Sequence, residues 1–417
     1  MATNSAFVIV GAGLAGAKAA QTLREEGFDG PVVLLGEEGE RPYERPPLSK
    51  GYLLGKDERE TVYVHPSQWY AERDVDLRLG TTVTAIDPAG HEVALADGSR
   101  LGYAKLLLTT GSSPRRLPAP GADLDGVHYL RRLSDSDRIK EALRSASRIV
   151  VIGAGWIGLE TAAAARTAGV EVTVLETAEL PLLRVLGREV AQVFADLHTD
   201  HGVDLRCGVK VAEITANGGH ANGVLLADGS RIDADAVIVG VGITPNTRLA
   251  TDAGLDVDNG IRVDAHLRTS HPDIHAAGDV ANAFHPLLGK HIRVEHWANA
   301  LNQPRTAAKA MLGQDVTYER LPYFFTDQYD LGMEYTGFVE PDGYDQVVFR
   351  GRTDTREFIA FWLAEGRVLA GMHVNVWDVT EPIRALVTSG RPADPAWLAD
   401  PDMSLSDLLD RPAPTGR

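Results

Sequence analysis

The sequence predicts an α/β protein with two copies of a parallel βαβ unit, followed by an α+β region. Two observations support this fold class. The segments FVIVGAGLAG (residues 7–16) and VVIGAGWIGLE (residues 150–160) both place a short apolar run before the pattern G-x-G-x-x-G. In both copies a helix-like stretch and a second apolar run ending in glutamate follow. A strand, a glycine turn, a helix and a second strand form the start of a doubly wound parallel sheet.

The glycine pattern indicates a Rossmann-type dinucleotide site in each copy. The first glycine permits a tight turn, the second lets the backbone approach a pyrophosphate, and the third lets the helix pack on the strand. Free N–H groups at the helix N-terminus favour the charge of the phosphates. We therefore expect nucleotide binding at two glycine triplets, which are Gly11, Gly13 and Gly16 in the first copy and Gly153, Gly155 and Gly158 in the second.

A glutamate after the second strand completes each copy. PVVLLGE ends at Glu37 and VEVTVLE ends at Glu176, where a carboxylate accepts hydrogen bonds from a ribose 2′-OH. A lone glycine motif is often only a turn, and a second copy can be a duplicated fold whose site has decayed, but Glu176 is still in place. Two dinucleotide sites predict FAD in one and a nicotinamide dinucleotide in the other. This is the layout of a flavin-dependent pyridine-nucleotide oxidoreductase.

Composition narrows the class of protein. The 417 residues suffice for about three domains of ~150 residues. No apolar run approaches the ~18 residues of a membrane span, and the apolar N-terminus lacks the basic segment of a signal peptide, so we expect a cytoplasmic protein. The net charge of −17 argues against nucleic acid. A local basic patch that meets an acidic protein partner remains possible.

Cysteine and histidine usage excludes other chemistries. Cys207 is the one cysteine, so the chain cannot supply the thiol pair of a disulfide reductase. We expect Cys207, in the strand-like DLRCGVKV, to be a buried structural thiol. A group of histidines shows no metal-ligand spacing and is predicted to lie in loops and on the surface. Its members are His271, His275, His285, His291 and His296.

The two copies also share a longer layout. Residues 1–112 and 113–243 each contain a meander that carries LADGSR and end in an apolar strand and a glycine turn, which is an internal repeat at domain scale. Residues 244–319 are expected to return to the first domain, making a discontinuous FAD-binding domain. Residues 320–417 predict an α+β domain of antiparallel strands with a helix or two. Its end, DRPAPTGR, is predicted to be disordered.

At this point the chain resembles a known family. It is similar to the FAD-dependent NADH:ferredoxin reductases of bacterial oxygenase systems, the family of putidaredoxin reductase and of aromatic dioxygenase reductase components, which have a glutathione-reductase-like fold. RPPLSK, GDV and TDQY together are specific, whereas the glycine motifs are shared more widely. The matching segments are GAGLAG (11–16), RPPLSKGYL (45–53), TTGSSPR (109–115), GAGWIGLE (153–160), GITPN (242–246), AAGDVA (276–281) and FFTDQYD (324–330).

The resemblance implies further cofactor contacts. Asp279 is expected to open a helix and hold the ribityl chain of FAD, although a carboxylate there also suits an N-cap. Trp297 is expected to begin a helix whose N-terminus faces the flavin pyrimidine ring. Besides the glycines and Glu37, the implied FAD residues are Arg45, Lys50, Thr110, Gly111, Asp279 and Trp297; the implied NADH residues add Glu160 and Gly242 to the second triplet and Glu176.

The resemblance also implies a catalytic pair. It places Lys50 near flavin N5, paired with Glu160. Taken alone, Lys50 is as well explained as a surface lysine and Glu160 as a first-turn helix glutamate. One site departs from the family, since Phe324 and Phe325 stand where a tryptophan is usual. We expect this to bear on flavin stacking.

The predicted function is electron transfer from NADH through FAD to a [2Fe–2S] ferredoxin that serves a haem-thiolate monooxygenase or a ring-hydroxylating dioxygenase. Glu176 without an adjacent arginine favours NADH over NADPH, although Arg184 lies eight residues on. Arg305 is a candidate for ferredoxin docking, or an ordinary exposed helix arginine. The alternatives are a rubredoxin or monodehydroascorbate reductase and, in another class, an apoptosis-inducing-factor-like signalling flavoprotein. The last would favour a presequence or a basic surface.

Overall fold

The computed structural model describes residues 5–410, which form two compact units. The first unit comprises the described parts of 1–45, 58–113 and 243–320, and the second comprises 46–57, 114–242 and 321–410. The division into three domains at 112, 243 and 319 remains a prediction, as residues 321–410 group with 114–242. The predicted disorder of DRPAPTGR falls, from Arg411 on, outside the described residues.

The chain alternates short strands and helices. The strands are β1 Phe7–Val10, β2 Val32–Leu35, β3 Val75–Arg78, β4 Val83–Asp87, β5 Glu92–Leu95, β6 Arg100–Gly102, β7 Lys105–Leu108, β8 Ser112–Pro114, β9 Val127–Tyr129, β10 Arg148–Ile152, β11 Glu171–Leu175, β12 Asp204–Arg206, β13 Val211–Asn217, β14 His220–Leu226, β15 Arg231–Asp233, β16 Ala236–Val239, β17 Ile243–Pro245, β18 Ile261–Val263, β19 Ile274–Ala276, β20 Ala281–His285, β21 Lys290–Arg293, β22 Tyr323–Gln328, β23 Leu331–Gly337, β24 Gln346–Arg352, β25 Glu357–Ala364 and β26 Arg367–Val374. The α-helices are α1 Leu14–Glu25, α2 Trp69–Glu72, α3 Leu133–Ser145, α4 Trp156–Thr167, α5 Leu183–Leu186, α6 Arg188–Asp200, α7 Arg248–Asp252, α8 Trp297–Met311, α9 Thr380–Ser389, α10 Pro395–Ala399 and α11 Asp407–Asp410. Two 3₁₀-helices span Pro46–Ser49 and Arg59–Val62.

The first unit is built on a five-stranded parallel sheet in the order β19-β7-β1-β2-β3. Every residue of β1 and β2 is buried, because helices and loops cover both faces of a parallel sheet. α1 and α8 pack on each other and contribute to the same apolar core. The carboxyl ends of β1, β2, β7 and β19 all lie at one edge, which is where ligands bind in such sheets.

The second unit repeats this plan. Its five-stranded parallel sheet has the order β12-β11-β10-β16-β9, and α4 packs on β10 and β11. Both LADGSR segments form a tight turn in a three-stranded meander. Asp97 Oδ1 accepts hydrogen bonds from the Ser99 N–H at 2.9 Å and hydroxyl at 2.6 Å. Asp228 does the same with Ser230 at 2.8 and 2.6 Å, so the internal repeat extends to turn chemistry.

Residues 321–410 add a five-stranded antiparallel sheet in the order β22-β23-β26-β25-β24, with α9, α10 and α11. One face shares a core with α4 and α6, to which Phe324, Met333 and Trp362 contribute. The Trp362 indole N–H donates to the Leu186 carbonyl at 3.0 Å. The α+β prediction for this region is confirmed. Among residues 5–410, no helix combines the length and apolar character needed to cross a membrane.

Three local predictions are wrong. Asp279 does not open a helix; it lies in a turn, and the following residues form β20, which pairs with β18 and β21. His275 and His285 are not surface residues, since each is 1% exposed and lies on a strand whose residues are mostly buried. Cys207 is only half-buried, in the turn after β12, because that strand ends at Arg206.

Candidate functional site

The first glycine loop, between β1 and α1, is tightly packed at its first and third glycines and open at its second. Gly11 has φ +116°, and a Cβ there would lie 2.2 Å from the Thr109 carbonyl oxygen. A Cβ on Gly16 would lie 2.1 Å from the Gly11 carbonyl oxygen. A Cβ on Gly13, by contrast, would meet nothing within 4 Å. The first and third glycines are therefore required by the fold, while the second faces free space.

The second loop, between β10 and α4, has the same geometry. Gly153 has φ +99°, and a Cβ there would lie 2.4 Å from the Gly240 carbonyl oxygen. A Cβ on Gly158 would lie 2.0 Å from the Gly153 carbonyl oxygen, and one on Gly155 would meet nothing within 4 Å. Both loops thus leave an opening at the middle glycine where a pyrophosphate can approach the backbone.

The helices behind these loops have N-termini suited to an anion. α1 and α4 begin after Gly13 and Gly155, neither of which offers a capping side chain. Neither helix has an acidic residue in its first turn. The first N–H groups of an α-helix have no partner inside the helix, and the helix dipole places positive charge there. A phosphate is the natural partner for such an end.

The two carboxylates that the sequence predicts at the riboses differ in their surroundings. Glu176 directly follows β11, and its carboxylate accepts hydrogen bonds from the N–H groups of Ala154 and Ala178, both at 2.8 Å. Ala154 belongs to the second glycine loop, so Glu176 is anchored beside the nucleotide opening. Glu37 lies two residues past the end of β2 and is exposed.

A turn follows the carboxyl end of one strand in each parallel sheet. The Thr110–Gly111 turn follows β7, and Gly242 follows β16. The Thr110 hydroxyl donates to the Asn246 carbonyl at 2.8 Å, and the Asn246 side-chain amide donates back to the Thr110 carbonyl at 2.8 Å. Gly111, with φ +66°, accepts from the Asn246 N–H at 2.9 Å. Gly242, with φ +99°, accepts from the Arg115 N–H at 2.9 Å. Both turns need the left-handed region, which favours glycine.

Asp279 and the start of α8 lie within the first unit. Asp279 is 9% exposed, and the adjacent Gly278 N–H donates to the Gln303 side-chain oxygen on α8 at 2.7 Å. α8 begins at Trp297, as predicted, and has no side-chain cap. The Trp297 indole N–H donates to the Glu44 carboxylate, and burial raises the pKa of Glu44 while this bond opposes the rise.

Arg45, the neighbour of Glu44, lies 3.8 Å from the Glu38 carboxylate, and its guanidinium faces the Tyr43 ring. Arg305 lies further along α8 and is exposed, as expected for a docking residue and equally for an ordinary helix arginine.

Lys50 and Glu160 form the predicted ion pair in the second unit. Lys50 Nζ lies 2.7 Å from Glu160 Oε1, and the two side chains are 17% and 4% exposed. Glu160 is the fifth residue of α4 and is buried, so neither the surface lysine nor the first-turn glutamate describes them. Lys50 Nζ also lies 5.6 Å from the centre of the Phe325 ring.

Two hydroxyl groups that the sequence reasoning missed complete this cluster. Ser49 Oγ donates to Glu160 Oε2 at 2.5 Å, and Thr326 Oγ1 donates to Glu160 Oε1 at 2.6 Å. Ser49 lies in RPPLSK and Thr326 lies in TDQY, so the sequence signal for both residues is their place in a family motif. Phe324 points the other way and packs against Trp156 and Tyr335, with ring centres 5.1 and 4.9 Å away. Of the two phenylalanines, Phe325 is therefore the one beside the charged pair.

Comparison with known proteins identifies the family. Residues 5–304 match the pyridine nucleotide-disulphide oxidoreductase family and residues 323–409 match the reductase C-terminal family. The ferredoxin–NAD(+) reductase component of the anthranilate 1,2-dioxygenase system of Burkholderia cepacia is 42% identical, over 97% of this chain and 99% of that protein. Putidaredoxin reductase of Pseudomonas putida is 40% identical over 98% of both chains. A rubredoxin–NAD(+) reductase of Pseudomonas putida is 36% identical over 89% of this chain and 96% of its own.

Solved structures agree with the sequence comparisons. The putidaredoxin reductase chain in its covalent complex with putidaredoxin superposes with a TM-score of 0.93 at 38% identity, covering 98% of this chain and 99% of that one. The ferredoxin reductase for the CYP199A2 system from Rhodopseudomonas palustris gives 0.94 at 36% identity, covering 97% and 100%. The chain therefore belongs to the pyridine nucleotide-disulphide oxidoreductase family, and it has the predicted fold.

Proposed function

We propose that this protein is an NADH-dependent ferredoxin reductase. It takes electrons from NADH and passes them through FAD to a [2Fe–2S] ferredoxin, which serves a haem-thiolate monooxygenase or a ring-hydroxylating dioxygenase. The observation that carries this proposal is the pair of open glycine loops of equal geometry in a chain whose single cysteine cannot form a redox-active disulfide. Full-length relatives with this activity support the choice of acceptor.

The first loop takes FAD and the second takes NADH. The fit to dinucleotides rests on the open middle glycines and the uncapped helix ends, which together accept a pyrophosphate. FAD, when bound, supplies the chemistry, since it accepts a hydride from NADH and releases electrons singly. The protein contributes binding, orientation and charge. Two backbone N–H groups hold Glu176, and we propose that its carboxylate accepts from the 2′-OH of NADH and repels a 2′-phosphate.

The remaining FAD contacts are proposals carried by the family resemblance. Arg45, Thr110, Gly111 and Asp279 contact the cofactor along the carboxyl edge of the first sheet, with Glu37 at the ribose. α8 presents its uncapped N-terminus, at Trp297, to the flavin pyrimidine ring, where the helix dipole favours negative charge.

Lys50 and Glu160 act together during flavin reduction. Their separation of 2.7 Å and their burial mean that each compensates the charge of the other. The family resemblance assigns Lys50 to flavin N5, and we propose that Glu160 fixes its ammonium group. Gly242 and the second glycine triplet hold the NADH.

Electrons leave the flavin without a thiol relay. Burial first, and then the Glu176 carboxylate, raise the pKa of the Cys207 thiol to about 11, so the sulfur stays protonated at neutral pH. Arg305 is our candidate for contact with an acidic ferredoxin. A second acceptor, rubredoxin, is favoured by one observation, the relative that carries that activity.

Two wider proposals accompany this function. The first is that the chain acts in the cytoplasm, where NADH is available to it. The second is the division into an FAD-binding domain (1–112 and 244–319), an NADH-binding domain (113–243) and a C-terminal domain (320–417).

The function is tested by anaerobic reduction of purified acceptors. We expect NADH to reduce a [2Fe–2S] ferredoxin from an oxygenase system with a kcat/KM well above that for rubredoxin or the monodehydroascorbate radical. A ratio that favours rubredoxin would select the second candidate. Absence of NADH oxidation with all three acceptors, in protein loaded with FAD, would refute the reductase function.

A further inference from the structure

A chain of buried polar side chains leads from α6 to Glu160 inside the second unit. Thr326 Oγ1 lies 2.6 Å from Glu160 Oε1, and Gln328 Nε2 lies 3.2 Å from Thr326 Oγ1. His198 Nε2 lies 2.8 Å from Gln328 Oε1, and Tyr329 Oη lies 3.4 Å from His198 Nδ1. Thr326 and Gln328 are 1% exposed and His198 is 0% exposed, so these groups have been removed from bulk water.

The chemistry of the groups fixes the direction of every hydrogen bond. An ionised carboxylate only accepts, so the Thr326 hydroxyl must donate to Glu160. The hydroxyl oxygen then accepts from the Gln328 amide N–H₂, which leaves the Gln328 oxygen facing His198. An amide oxygen has no proton, so His198 Nε2 must carry one. All donors in the chain therefore point towards Glu160.

His198 is held in a single neutral form by the same contacts. Burial lowers its pKa to about 4, despite the opposing bond to Gln328, so the ring is uncharged at neutral pH. With the proton on Nε2, Nδ1 is free to accept from the Tyr329 hydroxyl. The other charged or titratable groups nearby are His201, stacked on Tyr329 at 3.8 Å between ring centres, Asp330, 3.7 Å from His201, and Arg166, which donates to the His201 carbonyl at 3.0 Å.

We infer that Thr326, Gln328 and His198 are positioning residues for the Lys50–Glu160 pair. Each hydrogen bond in an aligned chain polarises the next, and the effect is larger where water is excluded. Thr326 and Lys50 donate to the same Glu160 oxygen, at 2.6 and 2.7 Å, so the hydroxyl sets where the carboxylate meets the ammonium group. The inference rests on the proposed function, since it assigns the chain to flavin reduction.

The protonation of the His198 ring does not depend on flavin chemistry and can be measured separately. In ¹⁵N-histidine-labelled, FAD-loaded protein, His198 should show a protonated Nε2 and an unprotonated Nδ1 from pH 8 down to pH 6. The variant His198→Gln assigns the signal. Gln328→Leu removes the acceptor and should weaken the preference for the Nε2-protonated form, which the Tyr329 hydroxyl still supports. A protonated Nδ1, or a charged ring at pH 7, would overturn the directional chain.

The effect on Glu160 is tested with a pair of variants at one position. Thr326→Val keeps the shape of the side chain and removes the donor, whereas Thr326→Ser keeps the hydroxyl. Stopped-flow reduction of bound FAD by NADH should be about 10-fold slower in Thr326→Val, because a hydrogen bond to a charged group is lost. The flavin reduction potential should shift in the same variant, and Thr326→Ser should restore both quantities to near wild type.

A matched control separates positioning from general stability. His373 is also a buried histidine, 2% exposed, and its Nε2 lies 2.9 Å from the Thr380 hydroxyl on α9. His373→Asn should lower the thermal midpoint and leave the flavin potential unchanged.

If Thr326→Val reduces its flavin at the wild-type rate and potential, the positioning role is wrong while the reductase function stands. The opposite failure is also distinct. If NADH does not reduce the flavin even in the wild type, the proposed function is wrong, and the tautomer of His198 still reports on the chain itself. If Thr326→Val does not fold, His198→Gln and Gln328→Leu replace it with the same expected shift in potential.

Discussion

The two glycine loops have the same backbone geometry. They differ in the charge of the side chain two residues beyond the third glycine. The first motif places Lys18 there and the second places Glu160. Lys18 is half-buried and donates to Gln21 at 3.0 Å, while burial, followed by the nearby Arg305, lowers its pKa. Glu160 is buried and receives bonds from Ser49, Lys50 and Thr326. The two loops therefore share the backbone geometry of a nucleotide site, while the helix side chains that follow them differ in charge.

The loops also differ in the residue that packs against the first glycine. Thr109 backs the first loop, and its hydroxyl donates to the Gly11 carbonyl at 2.9 Å. Gly240 packs against the second loop and, as a glycine, has no side chain that could bond to it. The second loop is instead tied through Ala154 to Glu176. The second loop is thus bonded to a carboxylate where the first loop is bonded to a hydroxyl group.

The largest expected effect comes from breaking the charged pair that is special to the second copy. Lys50→Ala leaves the buried Glu160 carboxylate poorly compensated, and this should slow flavin reduction by about 100-fold with FAD still bound. Glu160→Gln should act in the same direction. Stopped-flow reduction by NADH measures both rates. Lys56→Ala, an exposed lysine of the same segment, is the control. Wild-type rates in both pair variants would remove the pair from the mechanism.

The next effect concerns the carboxylate that differs between the loops. Wild-type protein should prefer NADH over NADPH, because Glu176 accepts from a 2′-OH and repels a 2′-phosphate. Glu176→Ala should reduce the ratio of the two kcat/KM values by about 10-fold or more, since hydrogen bonds to charged groups contribute about 1.5–3 kcal/mol. Glu37→Ala should change FAD retention and leave this ratio intact. Equal kcat/KM values for the two cofactors in the wild type would contradict the assignment.

A smaller effect is expected on the surface of the first unit. Arg305→Glu should raise the KM for ferredoxin by about 5-fold and weaken its salt dependence, as exposed charges act mainly on encounter. Turnover with ferricyanide should not change. Arg248→Glu, at an exposed arginine on α7 of the same unit, is the matched control. Equal effects of the two reversals would mean that Arg305 has no special role.

The smallest effect is expected at the cysteine beside Glu176. Cys207→Ser should keep NADH-to-ferredoxin turnover within about 2-fold, because a thiol with a pKa of about 11 is protonated and unreactive at neutral pH. Steady-state ferredoxin reduction measures this directly. Loss of turnover in the variant with FAD still bound would restore a role for sulfur in electron transfer.

Local sequence patterns predict most of the fold. The glycine triplets, the strands before them and the LADGSR turns are each specified within about ten residues, and all three lie where the sequence places them. The exception is Asp279, where a glycine and an acidic residue after a strand predict a helix start. The residues from Ala281 to His285 pair as strand β20, because tertiary pairing decides between the two outcomes.

The candidate site was predictable only where a motif already contained the residue. The Lys50–Glu160 pair came from the family resemblance, since 110 positions separate the two residues and no local pattern joins them. Ser49 and Thr326 both lie inside family motifs, but neither motif indicates a hydrogen bond to Glu160. His198 had no signal at all: it lies on an amphipathic helix at a position that periodicity assigns to the core. Its role depends on Gln328, 130 residues away.

One pair of variants separates the roles of the two glycine loops. Gly13→Val and Gly155→Val put a side chain into the open front of each loop, at φ values of −96° and −80° that any residue tolerates. Flavin content and reducibility should be measured on both purified proteins. We predict that Gly13→Val is isolated without FAD, whereas Gly155→Val retains FAD that dithionite reduces and NADH does not. Loss of FAD from Gly155→Val, or normal NADH reduction of flavin in Gly13→Val, would contradict the account.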